Sequence, residues 1–309
     1  MDKKLNHVYF DFKSPGNFGG VKRLKQAVKS SSAKDIRHFL STQNTYTLHK
    51  QRYGKFQRRK VTAPCRNYLF QADLIFMQKY KHSNKKYQYL LSVIDVFSRY
   101  GYCIPLKNKT ADEIIRGFTQ IFSEKKRKPK FLSCDEGKES FNVKFKQFLE
   151  KFNIKLYHNF SPFKACVVER FNRTILNRIS KYFTFTGKKE YISILPSILQ
   201  SYNSSIHRSI GRKPCDVNKY NEMDTWLYMN REMCEAKYSK PRLKLYDRVQ
   251  VCKKRGIFQK GYAPSYSSEV FEIHEIVNSF PPTFRIRDLH GNELRRIFYE
   301  KELVKVNIS

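Results

Sequence analysis

The sequence predicts an α/β protein built on a mixed sheet flanked by helices, with a small helical unit before it and a small β unit after it. Three observations carry this expectation. The first block holds two short stretches with apolar residues at helical spacing. From about residue 67 aromatic and β-branched runs alternate with helical stretches, and from Tyr238 onward the pattern is all strand.

In the first block, a Gly/Pro turn, SPGNFGG, precedes VKRLKQAV, which sets Val21, Leu24 and Val28 on one helical face. AKDIRHFLSTQ then sets Ile36, Phe39 and Leu40 on another, so a helix-turn-helix-like unit is expected. HKQRYGKFQRRK follows, and its Arg52, Lys55, Arg58, Arg59 and Lys60, interleaved with Tyr53 and Phe56, suit a DNA-tracking linker. A merely solvated charge run is the alternative.

YLFQADLIFM, YQYLLSVIDVFSRY and YGYCIPL read as three successive strands. KTADEIIRGFTQIF is a helix opened by a capping box of Thr110 and Glu113. KFLSC is a short strand, FNVKFKQFLEKF a helix and IKLYHN a strand. Ser161 and Pro162 suit the N-cap and first residue of the next helix, and a further helix is expected over 188–206. Hairpin-connected strands followed by alternating β and α imply the mixed sheet. In the last block LYDRVQVCKK, SSEVFEIHEIV, TFRIRDL and ELRRIFYEKELVKV are strands, the final two joined by an HGN turn, and a small barrel is expected. By sequence the chain divides into a helical unit with its basic linker (1–66), a core (67–218), an acidic linker (219–236) and the β unit (237–309).

Charge sets the class of partner. Against 27 Asp and Glu stand 61 Lys and Arg, a formal charge of +34. Such an excess self-repels unless a polyanion meets it, and nucleic acid is the usual one. The first, second and last segments carry 16, 28 and 15 basic side chains against 3, 12 and 8 acidic ones. Only 219–236 is net acidic, with 2 against 4. RNA, chromatin and anionic lipid fit a basic surface as well as DNA does. No apolar run approaches the roughly 18 residues of a membrane span, and MDKKLNHVYFDF has no apolar core of a secretory signal, so neither membrane nor secretion is expected. Seven scattered cysteines without a C-x-x-C pair fit a reducing compartment.

Among the carboxylates, Asp73 lies inside a strongly apolar strand, where a charge is costly unless paired or bound to metal. Asp135 lies at the end of the fourth strand, in the crevice position where open sheets place ligands. Glu169 follows on a helix whose buried stripe is Val168, Phe171, Ile175 and Ile179, and it falls at the edge of that stripe. If the fourth strand pairs with the first, the two aspartates are neighbours. Three carboxylates from three elements suit two oxygen-seeking Mg²⁺ ions. The bland readings are a hydrogen-bonded core aspartate, a turn former, and a helical ion pair of Glu169 with Arg173. Asp95 is a similar strand-end aspartate, read as a structural acceptor, and spacing alone does not choose between it and Asp73. Asn172 and Arg173 stand one turn from Glu169, as surface residues or as contacts to substrate phosphate.

Asp73, Asp135 and Glu169, with 33 residues between the last two, resemble the Asp-Asp-Glu triad of retroviral-type integrases and related transposases. VIDVFSRY, PLKNKTADEI, KACVVERFNRT and YNSSIHRSIGRKP are similar to the integrase of Maverick/Polinton self-synthesising DNA transposons, as are PGNFGGVKRL and SSEVFEI…PPTFRIRDLHGNE at the two ends. Cys134 and Ser140 depart from the family's Thr-Asp-x-Gly-x-Glu-Phe pattern, and no paired His and Cys spacing provides the zinc site of retroviral integrases. The resemblance implies a ribonuclease H-like core, a C-terminal chromodomain-like barrel, and a triad holding two Mg²⁺ or Mn²⁺ ions. It implies an enzyme that trims element 3′ ends and joins them to double-stranded target DNA, acting in the nucleus as a homo-oligomer, with chromatin or another protein on the barrel. KKRKPK (125–130) fits nuclear import, a phosphate clamp, or both. The rival expectations are a nuclease of the same fold that cuts without joining, and a non-enzymatic DNA- or chromatin-binding descendant.

Overall fold

The structure is a computed structural model of the 309-residue chain. It describes residues 2–51, 54, 56–125, 127–134, 143–156, 165–235, 240–253 and 262–307. They fall into two compact units, one of residues 1–59 with 238–309 and one of residues 60–237.

The first unit opens with α1 (Asp2–Phe10), α2 (Val21–Ala27), α3 (Ala33–Thr42) and α4 (Asn44–Thr47). The two expected helices form, and a capping box of Ser32 and Asp35 starts α3. Leu24, Val28, Ile36, Phe39 and Leu40 meet Leu5 and Tyr9 of α1 in one buried cluster, so each apolar stripe is covered by the other helices.

The second unit carries β1 (Leu69–Phe76), β2 (Tyr89–Asp95), β3 (Gly101–Leu106), α5 (Ala111–Lys125), β4 (Phe131–Cys134), α6 (Val143–Lys151), β5 (Lys155–Leu156), α7 (Cys166–Thr186), α8 (Leu195–Asn203) and α9 (Glu222–Glu235). The sheet order is β3-β2-β1-β4-β5. β1 runs antiparallel to β2 and parallel to β4, which makes the sheet mixed. One face packs on α5 and α6 through Phe70, Ala72, Leu91 and Val93. The other packs on α7 and α8 through Ile75, Leu90, Ile94 and Cys103. Alternate residues of β2 feed opposite layers, so every residue of that strand is buried.

Several boundaries differ from expectation. α8 begins at Leu195 because Pro196 suits a first helical turn, and it ends at Asn203. The expected cap at Ser161 and Pro162 lies outside the described residues, and Ala165 is the N-cap of α7. Glu113 completes no capping box: its carboxylate accepts from the Lys107 N–H and pairs with Arg116 at 2.9 Å. Residues 219–236, expected as a linker, hold a 3₁₀ turn (Lys219–Asn221) and α9. Trp226 and Met229 of α9 join a cluster with Ala63, Val96, Phe97 and Ile210, while Glu222 pairs with Arg66 at 3.3 Å and Glu232 with Lys60 at 2.9 Å. The acidic stretch thus neutralises the basic segment leading into the core.

In the first unit the chain resumes with β6 (Arg248–Val251), β7 (Phe271–Val277), β8 (Thr283–Asp288), β9 (Phe298–Tyr299) and β10 (Leu303–Lys305). The expected barrel is corrected. These strands form an antiparallel sheet in the order β10-β6-β7-β8-β9, and among the described residues its outer strands β9 and β10 do not pair with each other. Outer strands of two and three residues offer too few backbone groups to close a sheet. The last expected strand is broken by a 3₁₀ turn, Glu300–Glu302, held by a reciprocal cap between Tyr299 and Glu302. The two ends of the chain meet in backbone hydrogen bonds: Ser265 and Tyr266 donate to the Leu48 carbonyl at 2.8 and 3.2 Å, and Asn307 donates to Ser41 at 3.0 Å.

Gly101 stands where β3 starts, under α7. A Cβ built on it would lie 2.4 Å from the Phe171 ring. Gly101→Ala should therefore destabilise the protein by about 1–3 kcal/mol, read as a lower urea midpoint at unchanged slope.

Candidate active site

The period of a strand puts Gln71, Asp73 and Ile75 on one face of β1, and that face meets α7. The half-buried Asp73 carboxylate accepts from its neighbour Leu74 N–H at Oδ1 and from Asn172 Nδ2 at Oδ2, both at 2.8 Å. Ser92, its register partner on β2, donates its hydroxyl to the Asp73 main-chain carbonyl at 3.0 Å. Two residues back, the buried Gln71 accepts at Oε1 from the Val167 and Val168 N–H groups, at 3.1 and 3.2 Å.

α7 holds the other carboxylate. Its buried stripe is Val168, Phe171, Ile175 and Ile179 as expected, extended by Asn172 and Phe183. Gly187 closes the helix in the left-handed conformation, at φ +68°, which glycine adopts without a Cβ penalty. Glu169 is exposed, in the first turn. No ion pair joins it to the equally exposed Arg173 among the described residues, so the ion-pair reading is not what the helix uses. Asn172 is not the surface residue expected. It is 8% exposed, and its Oδ1 is buried without a hydrogen-bond partner. Residues three apart share a helix face, so Glu169 and Asn172 lie along one edge of α7.

β4 ends at Cys134, whose partner in β1 is Ala72, the neighbour of Asp73. The first and fourth strands therefore pair as the neighbouring-aspartate expectation requires, while Asp135 itself lies outside the described residues. Asp95 is a structural acceptor. Fully buried, it takes the Phe97 and Asn67 N–H groups and the Ser98 hydroxyl, the last at 2.6 Å. Burial raises its pKa above the usual carboxylate value, against those hydrogen bonds.

The basic residues divide. Arg52 and Lys55 lie outside the described residues. Arg58 pairs with Glu302 at 3.5 Å and stacks on Phe56, 4.6 Å from the ring centroid. Lys60 is held by Glu232, whereas the Arg59 side chain is exposed, and the Arg59 N–H donates to Tyr299 Oη at 3.0 Å. Of the segment 125–130, Arg127 is half-buried over the Tyr100 ring, 4.5 Å from its centroid, and Lys128 is exposed.

Among the described residues no three His, Cys, Asp or Glu side chains form a metal-holding group. The donors at this seam nevertheless fit a divalent cation. Asp73 and Glu169 are hard oxygen donors, and the orphaned Asn172 Oδ1 is an acceptor of the kind a cation's hydration shell satisfies. The sequence reading missed Gln71 and undervalued Asn172. Their signals were present: two polar residues at strand period in an apolar run, and an amide three residues past a candidate carboxylate.

Comparison with known proteins gives the fold a family context. Residues 63–160 match the integrase core domain family. A transposon-derived protein of Caenorhabditis elegans is 32% identical over 195 residues, 63% of this chain and 65% of that protein. A retrovirus-related Pol polyprotein from transposon 297 of Drosophila melanogaster is 27% identical over 142 residues, 46% of this chain and 13% of the polyprotein. The chain thus spans less than two thirds of either relative. Among solved structures, a chain of the simian T-cell lymphotropic virus intasome, in complex with a PP2A regulatory subunit, aligns over 99% of both chains with a TM-score of 0.67 at 13% identity, a likeness of fold.

Asn172→Ala should cost about 1–3 kcal/mol, because a half-buried carboxylate loses a donor. Asn172→Asp should cost more at pH 7 than at pH 5. Two adjacent carboxylates repel when both are ionised, and a shared proton relieves this as the pH falls. Urea unfolding at the two pH values measures both.

Proposed function

We propose that this integrase-core protein is the DNA integrase of a Maverick/Polinton-type transposon, and that Asp73, Asp135 and Glu169 are its catalytic carboxylates. The observation that carries the reading is the hydrogen bond from Asn172 to Asp73. It ties the strand carboxylate to a helix residue one turn from Glu169, in a chain whose residues 63–160 match an integrase core. The parallel pairing of β1 with β4 supports Asp135 as the third member, since that residue follows Cys134 in sequence.

On this reading Asn172 and the Leu74 N–H hold the Asp73 carboxylate in one orientation, and Glu169 faces it from the edge of α7. Two Mg²⁺ or Mn²⁺ ions, when bound, supply a lowered pKa for the attacking water or 3′-hydroxyl and neutralise the leaving oxygen. Arg173, exposed on α7 one turn from Glu169, contacts phosphate beside the carboxylates, while Arg52, Lys55, Arg58, Arg59 and Lys60 bind the DNA backbone, Arg58 and Lys60 by exchanging their present carboxylate partners for phosphate. Double-stranded DNA in the nucleus, element ends and target alike, is the substrate, bound by a homo-oligomer. The C-terminal sheet is the surface for chromatin or another protein.

The deciding experiment combines the full chain with its own element ends, Mg²⁺ and a target plasmid. Joined products are expected, lost in excess chelator and in Glu169→Gln. Cleavage without joining would make the protein a nuclease, and no metal-dependent product would remove the enzymatic reading. Glu169→Gln should leave stability within about 0.5 kcal/mol, as for other exposed unpaired residues, and DNA binding without metal should persist.

DNA affinity should fall about a thousandfold between 50 and 200 mM salt, as for six or more phosphate contacts. Arg59→Gln with Arg173→Gln should lower the logarithmic salt slope by about two, one per lost phosphate contact. An unchanged slope would show that both side chains are only solvated.

A further inference from the structure

We infer that Gln71 is a positioning residue, a cap reaching α7 from another element, which fixes where Glu169 stands relative to Asp73. The inference rests on the reading of Asp73 and Glu169 as catalytic carboxylates. A helix leaves its first N–H groups without partners inside the helix. The usual remedy is an N-cap side chain that accepts from the second or third helical residue. Ala165 is the N-cap of α7 and has no such acceptor. The second and third residues, Val167 and Val168, donate instead to the Gln71 carboxamide oxygen, which arrives from a strand 96 and 97 positions away in sequence.

The geometry ties this cap to the site. Gln71 is 1% exposed and belongs to β1, which is hydrogen-bonded to strands on both sides. Asp73 lies two residues further along the same face and is joined to Asn172. Two strand residues advance about 6.6 Å, and the four helical residues from Val168 to Asn172 advance about 6 Å. The two connections therefore match in length and pin α7 to β1 at two points. Glu169 lies between them, directly after Val168, with its own N–H donating to the Ala165 carbonyl at 3.0 Å. Loss of the Gln71 contact frees the first turn, and with it Glu169, while the Asn172 contact still holds the next turn.

The test uses the full chain and four variants. Gln71→Met keeps the length and removes the acceptor. Gln71→Asn keeps an amide but stops one methylene short, and it repeats the test should Gln71→Met fail to fold. Gln71→Glu keeps an acceptor oxygen. Val93→Ala truncates the core on the opposite face of the sheet, where Val93 packs with Ala72. Hydrogen exchange of peptides spanning 165–172 and the half-saturating Mn²⁺ concentration for DNA processing are the two readouts. Gln71→Met should raise both by about tenfold, the scale of a lost helix cap. Gln71→Glu should restore both, and Val93→Ala should lower Tm without moving the metal dependence. Unchanged exchange and metal dependence in Gln71→Met, or an equal metal effect in Val93→Ala, would overturn the inference. A wild-type chain without metal-dependent products would remove the functional reading instead, and the exchange result alone would then decide whether Gln71 caps α7.

Discussion

The architecture of the core depends on one constraint: β1 carries polar side chains on a face that a helix covers. Gln71 and Asp73 lie in a run that is otherwise apolar, in a strand paired on both sides. A buried carboxylate or carboxamide without partners costs more than most single contacts supply. α7 answers both, with its unpaired N–H groups for Gln71 and its Asn172 amide for Asp73. The position of α7 is therefore set by hydrogen bonds that must be made as well as by the apolar stripe it buries. A stripe alone tolerates sliding; two polar contacts do not.

The acidic residues of so basic a chain fall into distinct uses. Glu222, Glu232 and Glu302 each neutralise an arginine or lysine from a distant part of the sequence, namely Arg66, Lys60 and Arg58. Asp95 is spent on backbone and hydroxyl donors at the turn between β2 and β3. Glu169 has no such partner among the described residues, although cations surround it in sequence. It stands exposed beside Arg170 and near Arg173, in a chain of net charge +34.

Much of the core was legible because its signals are periodic. The strands and the α7 stripe follow from spacing and the mixed sheet from the order of elements, whereas the pairing of β1 with β4 stayed a condition that the structure meets. The missed features depend on contacts remote in sequence. Ser161 and Pro162 suit a local cap, whereas the acceptor for α7 comes from Gln71, which no local pattern links to it. Asn172 reads as a surface amide until Asp73 is opposite it. The acidic stretch looked like a linker because its charge was more visible than the spacing of Trp226 and Met229. α1 was overlooked although Leu5 and Tyr9 sit one helical turn apart, and the barrel was inferred from a run of short strands, whose outermost members are too short to close the sheet. Asp135, the remaining member of the proposed triad, lies outside the described residues, so its place rests on sequence order.

The hydrogen bonds that join the two ends of the chain give the molecule a mechanical property. Ser41 and Leu48 near one end hold Asn307, Ser265 and Tyr266 near the other, and residues 60–237 lie between these points as a loop. A pull on the two termini is borne first by these few bonds and by the unit they close. The sheet that carries Asp73 feels no tension until they part.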